Sequence, residues 1–236
     1  MNGYLAIDMS SWGERFTDSE AEAAKVAGAC LNIVNTWGEW ARQQADMALA
    51  HGMAFEPYEY MYLSIDPVAR IKRGLDALYG FPRDGIWWLD YEDEAVGFSK
   101  AAIVAHIRQG VAFCESQGLR PGIYSRREWW QRRTGGSVDF MHLPSWVADY
   151  DGIPDLVSAS PLVDGWHVTM KQYAGTSQLG GQSVDLNWRE DDMSEADKIE
   201  LYVLRVLKGV SEALAQGRLQ DASNAMAKYL GVRPKV

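Results

Sequence analysis

The sequence predicts an α/β protein built as a modified β/α barrel, regular in its first half, β-rich in its second, and followed by a C-terminal helical tail. Three observations predict it. From Gly3 to about Trp188, short β-rich apolar runs alternate with helical patterns, as repeated βα units around a largely parallel sheet do. Eight such runs are present, and after Tyr124 the helical text between them gives way to turn-rich stretches. The 236 residues, 47% of them hydrophobic, suit one large barrel or two small domains, and no internal linker divides residues 1–192. Residues 193–236 form the expected extension.

The strands are expected at Tyr4 to Met9, Cys30 to Asn35, Met53 to Tyr58, Gly85 to Tyr91, Pro121 to Ser125, Ser145 to Asp149, Trp166 to Gln172 and Val184 to Asn187. Among the early ones, Asp66 followed by Pro67 reads as a helix N-cap with proline in the first turn, and Ser99 caps "KAAIVAHIRQGVAFCESQ". Gly52, Gly80 and Gly118 stand where C-terminal glycines belong, each before a new strand. The later strands are joined by "DYDGIPD" and "AGTSQLGGQ", with no long helix between them. In the tail, "SEAD" begins an amphipathic pattern, broken near Gly217, that packs on the barrel exterior or serves a protein partner or self-association.

Composition excludes several classes. The net charge of −9 opposes nucleic-acid binding by the chain as a whole. No apolar run reaches about 18 residues, so no membrane span is expected. "GYLAIDM" is too short and too acidic for a signal-peptide core, so the protein is expected in the cytoplasm at synthesis. Cys30 and Cys114 lie in apolar runs without a spacing motif and read as two reduced, buried thiols. His51, His106, His142 and His167 fall at unrelated spacings, which leaves no metal site to assign. There is no nucleophile elbow, phosphate loop or dinucleotide fingerprint, and no cofactor is expected.

The acids carry the chemistry. In "GIWWLDYEDEA", Asp90 and Glu92 are two residues apart and emerge on one face past the apolar strand, at the end where barrel enzymes place their sites. Asp8 ends the first strand and Asp185 ends or begins the last. In a closed barrel these strands are neighbours, so three strands bring carboxylates to one mouth. Clustered carboxylates without histidine ligands suit general acid/base work, in which repulsion and burial raise one pKa while another group stays ionised. The 10 Trp and 11 Tyr add flat faces with polar tips, suited to sugar rings: Tyr58, Tyr60, Tyr124, Tyr150 and Tyr173 sit at or after predicted strand ends. Trp87 and Trp88 are expected in the core, one facing the barrel and one a helix.

These residues resemble the glycoside hydrolase family 25 lysozymes, the Chalaropsis-type muramidases. "IDMSSW" resembles the opening strand of that family, "FEPYEYMY" its tyrosine-bearing third strand, "WWLDYED" its Asp-x-Glu strand and "PGIYS" its fifth. "SWVADY" is similar to a Trp-x-Ala-x-Tyr element and "MKQYAGTSQLGGQSVDLNW" to the closing segment, all in family order over about residues 3 to 190. The resemblance implies a modified TIM-like barrel that hydrolyses the β-1,4 bond between N-acetylmuramic acid and N-acetylglucosamine in peptidoglycan glycan strands. It implies Glu92 as general acid/base, Asp90 orienting the substrate's own acetamido group as nucleophile, and Asp8 and Asp185 shaping the site's charge. Tyr58, Tyr60, Tyr124, Trp146, Tyr150 and Gln172 become candidate sugar contacts.

The chain departs from the pattern at Lys171, where the family usually has Trp, and at Asn35 and Trp37, which are expected to block or reshape a subsite. An alternative from another class is therefore a catalytically altered barrel kept for glycan binding or assembly. Without a signal peptide, a muramidase is expected to reach the wall by lysis, holin release or carriage on a phage particle, as a phage endolysin or virion enzyme does. "RREWWQRR", Arg126 to Arg133, is the basic exception in an acidic chain and the only opening for nucleic acid. It is expected as a short helix, with Trp129 and Trp130 packed inward or lining the cleft and its arginines facing solvent, acidic surface or anionic wall polymers.

Overall fold

The computed structural model of the chain describes residues 3–9, 17–36, 40–179 and 181–190. Among these, eight strands close into a barrel in sequence order: β1 (Gly3–Met9), β2 (Ala29–Asn35), β3 (Ala54–Tyr60), β4 (Ile86–Asp90), β5 (Arg120–Ser125), β6 (Ser145–Ala148), β7 (Val168–Leu179) and β8 (Gln182–Glu190). Strands β1 to β7 pair in parallel, whereas β8 runs antiparallel to both β7 and β1. Helices α1 (Asp18–Val26), α2 (Ala41–Ala50), α3 (Pro67–Ala77), α4 (Lys100–Ser116) and α5 (Arg127–Thr134) follow the first five strands. The regular first half and helix-poor second half expected from the sequence are both present. Trp37 and the tail from residue 193 lie outside the described residues.

Local chemistry accounts for the boundaries. Asp66 accepts hydrogen bonds from the amides of Val68 and Ala69, with Pro67 opening α3, and Ser99 caps α4 through the Ala102 amide. The text "AGTSQLGGQ" reads as turn-rich but largely forms strand: β7 continues to Leu179 and folds back as a hairpin on β8. Two register shifts between Gln172 and Ser177, with Thr176 at φ 56, absorb the irregularity, so small and polar residues that weaken a flat strand are tolerated in a bulged one.

Two apolar layers result. Inside the barrel, Ala6, Leu31, Ile33, Tyr58, Ile86, Trp88, Tyr124, Trp146 and Met170 pack together. The larger layer, between barrel and helices, contains Trp87, Tyr91, Trp129 and Trp130. Trp87 and Trp88 thus split between helix side and barrel side as the strand period requires. Gly122 makes room for this: a Cβ there would come within 2.6 Å of the Trp88 ring. Cys114 is buried, but Cys30 is only partly so, which corrects the expectation of two buried thiols; both are free. Cys30 follows the exposed turn 26–28 at the start of β2, before the strand enters the layer.

Candidate active site

All ten residues singled out in the sequence line one cleft of ≈ 360 Å³ at the C-terminal ends of the parallel strands, joined by Asn35, Tyr62 and Arg70. Strand β1 delivers Asp8, and antiparallel β8 places Asp185 opposite it in register. Strand β4 ends on Asp90, which pairs with Tyr60 on one side and Tyr124 on the other. Glu92 lies two residues past the strand. Its loop is held by Asp93, whose carboxylate accepts from the amides of Leu63 (2.8 Å) and Ala95 (3.1 Å) and whose carbonyl accepts from the Trp129 indole (3.0 Å).

Neutral donors organise the acids. Asp8 Oδ2 accepts from Asn187 Nδ2 (2.6 Å) and Gln172 Nε2 (3.1 Å), and the same Gln172 nitrogen reaches Asp185 Oδ2 at 3.0 Å. Asp185 Oδ1 accepts from the Thr176 amide, the residue in the strained, bulged part of β7. Gln172 Oε1 in turn accepts from the hydroxyls of Tyr124 and Tyr150, each at 2.8 Å. Trp146 is buried beneath this net. Its indole donates to Asn187 Oδ1 (2.8 Å), and its ring lies 4.3 Å from that of Tyr124, centroid to centroid. It therefore shapes the cleft from below, while Tyr150, 57% exposed, offers a ring face at the rim.

The electrostatics are lopsided. Burial raises the Asp8 pKa to about 7, with the Asp185 charge adding to the effect and the two amide donors pulling back. Burial and then the charges of Glu92 and Asp8 push Asp90 well above the usual carboxylate range against the pull of Arg126 and Arg70. Burial also raises Glu92, which Arg126 draws down and Asp185 and Glu94 push up, and it raises Asp185, partly offset by the Thr176 amide. Four carboxylates in one low-dielectric pocket cannot all ionise near neutrality, so the cluster holds protons that isolated carboxylates would lose. Accessibility separates their roles. Asp8 and Asp90 are buried, and Asp90 Oδ1 receives no hydrogen bond from any described protein group. The Glu92 side chain keeps 28% of its surface exposed, with Arg126 Nε 3.4 Å from its Oε2. Glu92 is thus the acid that can reach a bound molecule, and Asp90 the one awaiting a donor.

Two of the three departures lie among the described residues. Asn35 is buried in the cleft lining and donates to the Tyr58 hydroxyl at 2.7 Å, so it bears on the cleft by supporting one of its rings. Lys171 is buried on the face of β7 opposite Met170 and Gln172 and is outside the cleft. Three participants were not singled out for the site in the sequence, Tyr62, whose ring lies 4.7 Å from Tyr60, Arg70 and Asn187, while Arg126, expected only as part of a basic patch, stands beside Glu92. Only Asn187 carried a signal, as the last residue of "VDLN". In "RREWWQRR", both Trp rings are buried, Arg127 pairs with Asp164, and Arg126, Arg132 and Arg133 gather around Glu94. Among the described residues, no group of three or more His, Cys, Asp or Glu is placed to hold a metal ion, and no helix is long and apolar enough to cross a membrane.

Comparison with known proteins agrees with this geometry. The family model described as glycosyl hydrolases family 25 matches residues 7–182. The chain is 31% identical over 126 residues to a probable GH family 25 lysozyme 3 of Dictyostelium discoideum, covering 52% of this chain and 26% of that protein. It spans between 26% and 49% of the length of the curated relatives it matches. In fold it is similar to a muramidase from Acremonium alcalophilum (TM-score 0.67, 24% identity, 82% of this chain and 97% of that one). It is also similar to a family GH25 lysozyme from Aspergillus fumigatus (TM-score 0.66, 22% identity, 84% and 98%). With the barrel, the Asp-x-Glu strand and the closing β8 acid all falling inside or beside the matched segment, the chain belongs to glycosyl hydrolases family 25.

Proposed function

We propose that the barrel is a muramidase, hydrolysing the β-1,4 bond between N-acetylmuramic acid and N-acetylglucosamine in peptidoglycan. The observation that carries this is the pairing of an accessible acid, Glu92, with a buried carboxylate two residues away whose Oδ1 lacks a protein donor. Glu92, held partly protonated by its surroundings, gives its proton to the glycosidic oxygen as that bond breaks. The carbonyl oxygen of the sugar's own acetamido group bonds to the anomeric carbon. In the reactive state the proton shared by the cluster sits on Glu92 and Asp90 is ionised; the acetamido N–H donates to Asp90, whose negative charge stabilises the positive charge developing on the ring. Glu92, now ionised, then takes a proton from the water that opens this cyclic intermediate. Tyr60, Tyr62 and Tyr150 supply ring faces for the sugars, and Asp8 and Asp185 keep the pocket's proton affinity high.

Peptidoglycan from several bacteria, incubated with the protein and then reduced with borohydride, tests this. Fragments ending in reduced N-acetylmuramic acid are the expected product. Fragments ending in reduced N-acetylglucosamine would reassign the bond, and no fragments from any wall would favour a barrel kept for binding or assembly. The phage-lysin setting belongs to the same proposal and is tested by which walls are cut.

A further inference from the structure

The segment between β6 and β7 is exposed and turn-rich, yet it is tied down at an unusual number of points, and one buried cation lies behind it. Lys171 is fully buried, and its ammonium reaches Asp151 Oδ2 at 2.6 Å, Ser158 Oγ at 2.6 Å and the Ile153 carbonyl at 3.2 Å. An ammonium carries three donors, and here each has an acceptor, as a charge taken out of water requires. The acceptors are themselves organised. Asp151 Oδ1 accepts from the Ile153 amide (2.9 Å), Asp155 Oδ1 accepts from the Ser158 amide (2.8 Å), and Ser158 Oγ stands within hydrogen-bond distance of both carboxylates. The Lys171 ammonium thus sits at the centre of a loop wrapped round it. At the front of the same strand, the next residue, Gln172, accepts from the Tyr150 hydroxyl. The main chain joins in, because the Asp149 amide donates to the Gln172 carbonyl and the Gly152 amide to that of Tyr173, each at 3.0 Å. Strand β7 grips one loop from both of its faces.

We infer that Lys171 is a positioning residue for glycan binding: by pinning residues 151, 153 and 158 behind β7, it fixes Tyr150 at the rim of the cleft. This rests on the proposed muramidase reading for the identity of the ligand, but not for the mechanics of the loop. A loop ordered before binding spares the substrate the entropy of ordering it. The effect therefore falls on affinity, while proton transfer by Glu92, in the loop after β4, is untouched.

The test uses the full chain and Lys171→Met, which keeps the length of the side chain and removes the ammonium. Amide hydrogen exchange over residues 149–160 is expected to accelerate in the variant and stay unchanged in β1 and β4. With solubilised peptidoglycan strands, KM is expected to rise roughly three- to tenfold with kcat within about twofold. Tyr150→Ala should raise KM comparably, and the double variant should add little to either. Ser158→Ala, which removes one acceptor at the exposed side, is the milder second variant and should show the same changes in smaller measure should Lys171→Met fold poorly. Unchanged exchange in the segment overturns the inference, as does a lowered melting temperature with unchanged KM, or KM effects that multiply in the double variant. Exchange requires no turnover, so a wild type that cleaves nothing overturns the proposed activity, while the pinning of the loop by Lys171 is decided by exchange alone.

Discussion

The barrel buries carboxylates at both of its ends and treats them in opposite ways. At the floor, Glu56 accepts from the Ile86 amide (3.2 Å) and the Trp88 indole (2.6 Å) and faces the Arg189 guanidinium at 3.4 Å. At the mouth, Asp8, Asp90, Glu92 and Asp185 share amide donors, with Arg126 partly exposed beside Glu92 and Arg70 in the cleft lining, its guanidinium committed to Glu59. A carboxylate buried for structure is matched by donors and a countercharge, which is what its desolvation demands. Carboxylates buried together with too few donors raise one another's proton affinity and destabilise the fold that holds them, and such under-matching is what acid/base chemistry uses.

The comparison can be broken most sharply at Asp90. Asp90→Asn removes the charge proposed to receive the acetamido N–H and should lower kcat on peptidoglycan by roughly a hundredfold, with the circular dichroism spectrum unchanged. At the floor, Arg189→Met strips the countercharge from Glu56 and should cost roughly 3–5 kcal/mol of stability in urea unfolding, with little effect on the kcat of the folded fraction. Asp8→Asn should reduce kcat about tenfold, an intermediate effect near 1.4 kcal/mol, and should change how stability depends on pH. Because burial raises the folded Asp8 pKa to about 7 from its ordinary value of 3.8, the native state binds more protons than the unfolded chain between those values. Its contribution is therefore present at low pH and lost as pH rises through 7. The variant should melt higher than wild type at pH 8 and no higher at pH 3.5. Smallest is Arg126→Gln: the cation holds down the proton affinity of both Glu92 and Asp90, so with it gone both limbs of the kcat/KM profile should move to higher pH.

Much of this was legible in the sequence, for reasons that differ by residue. Asp90 and Glu92 were readable because strand period places residues two apart on one face, and Asp8 with Asp185 because a closed barrel makes its first and last strands neighbours. Trp87 and Trp88 followed from the same alternation. The continuation of β7 through "AGTSQL" was not readable, since bulges let turn-forming residues stay in a strand and nothing local marks them. How Asn35 would bear on a subsite was not readable, because its partner, the Tyr58 hydroxyl, comes from the neighbouring strand. Lys171 stood out only as a departure from the family's Trp, because register, which turns it to the outer face of β7, is not visible in composition. The role of Arg126 required the placement of α5 over the acidic loop, a tertiary fact with no local pattern.

The most direct test of the contrast is a paired measurement on Glu92→Gln and Glu56→Gln, each scored for muropeptide release per folded molecule and for melting temperature. The account predicts a crossing: Glu92→Gln loses at least about a hundredfold in turnover while melting no lower than wild type, and Glu56→Gln melts several degrees lower while the folded fraction keeps its turnover. Near-normal release by Glu92→Gln, or a loss of turnover in Glu56→Gln equal to that in Glu92→Gln, would contradict the division of the barrel into a structural floor and a catalytic mouth.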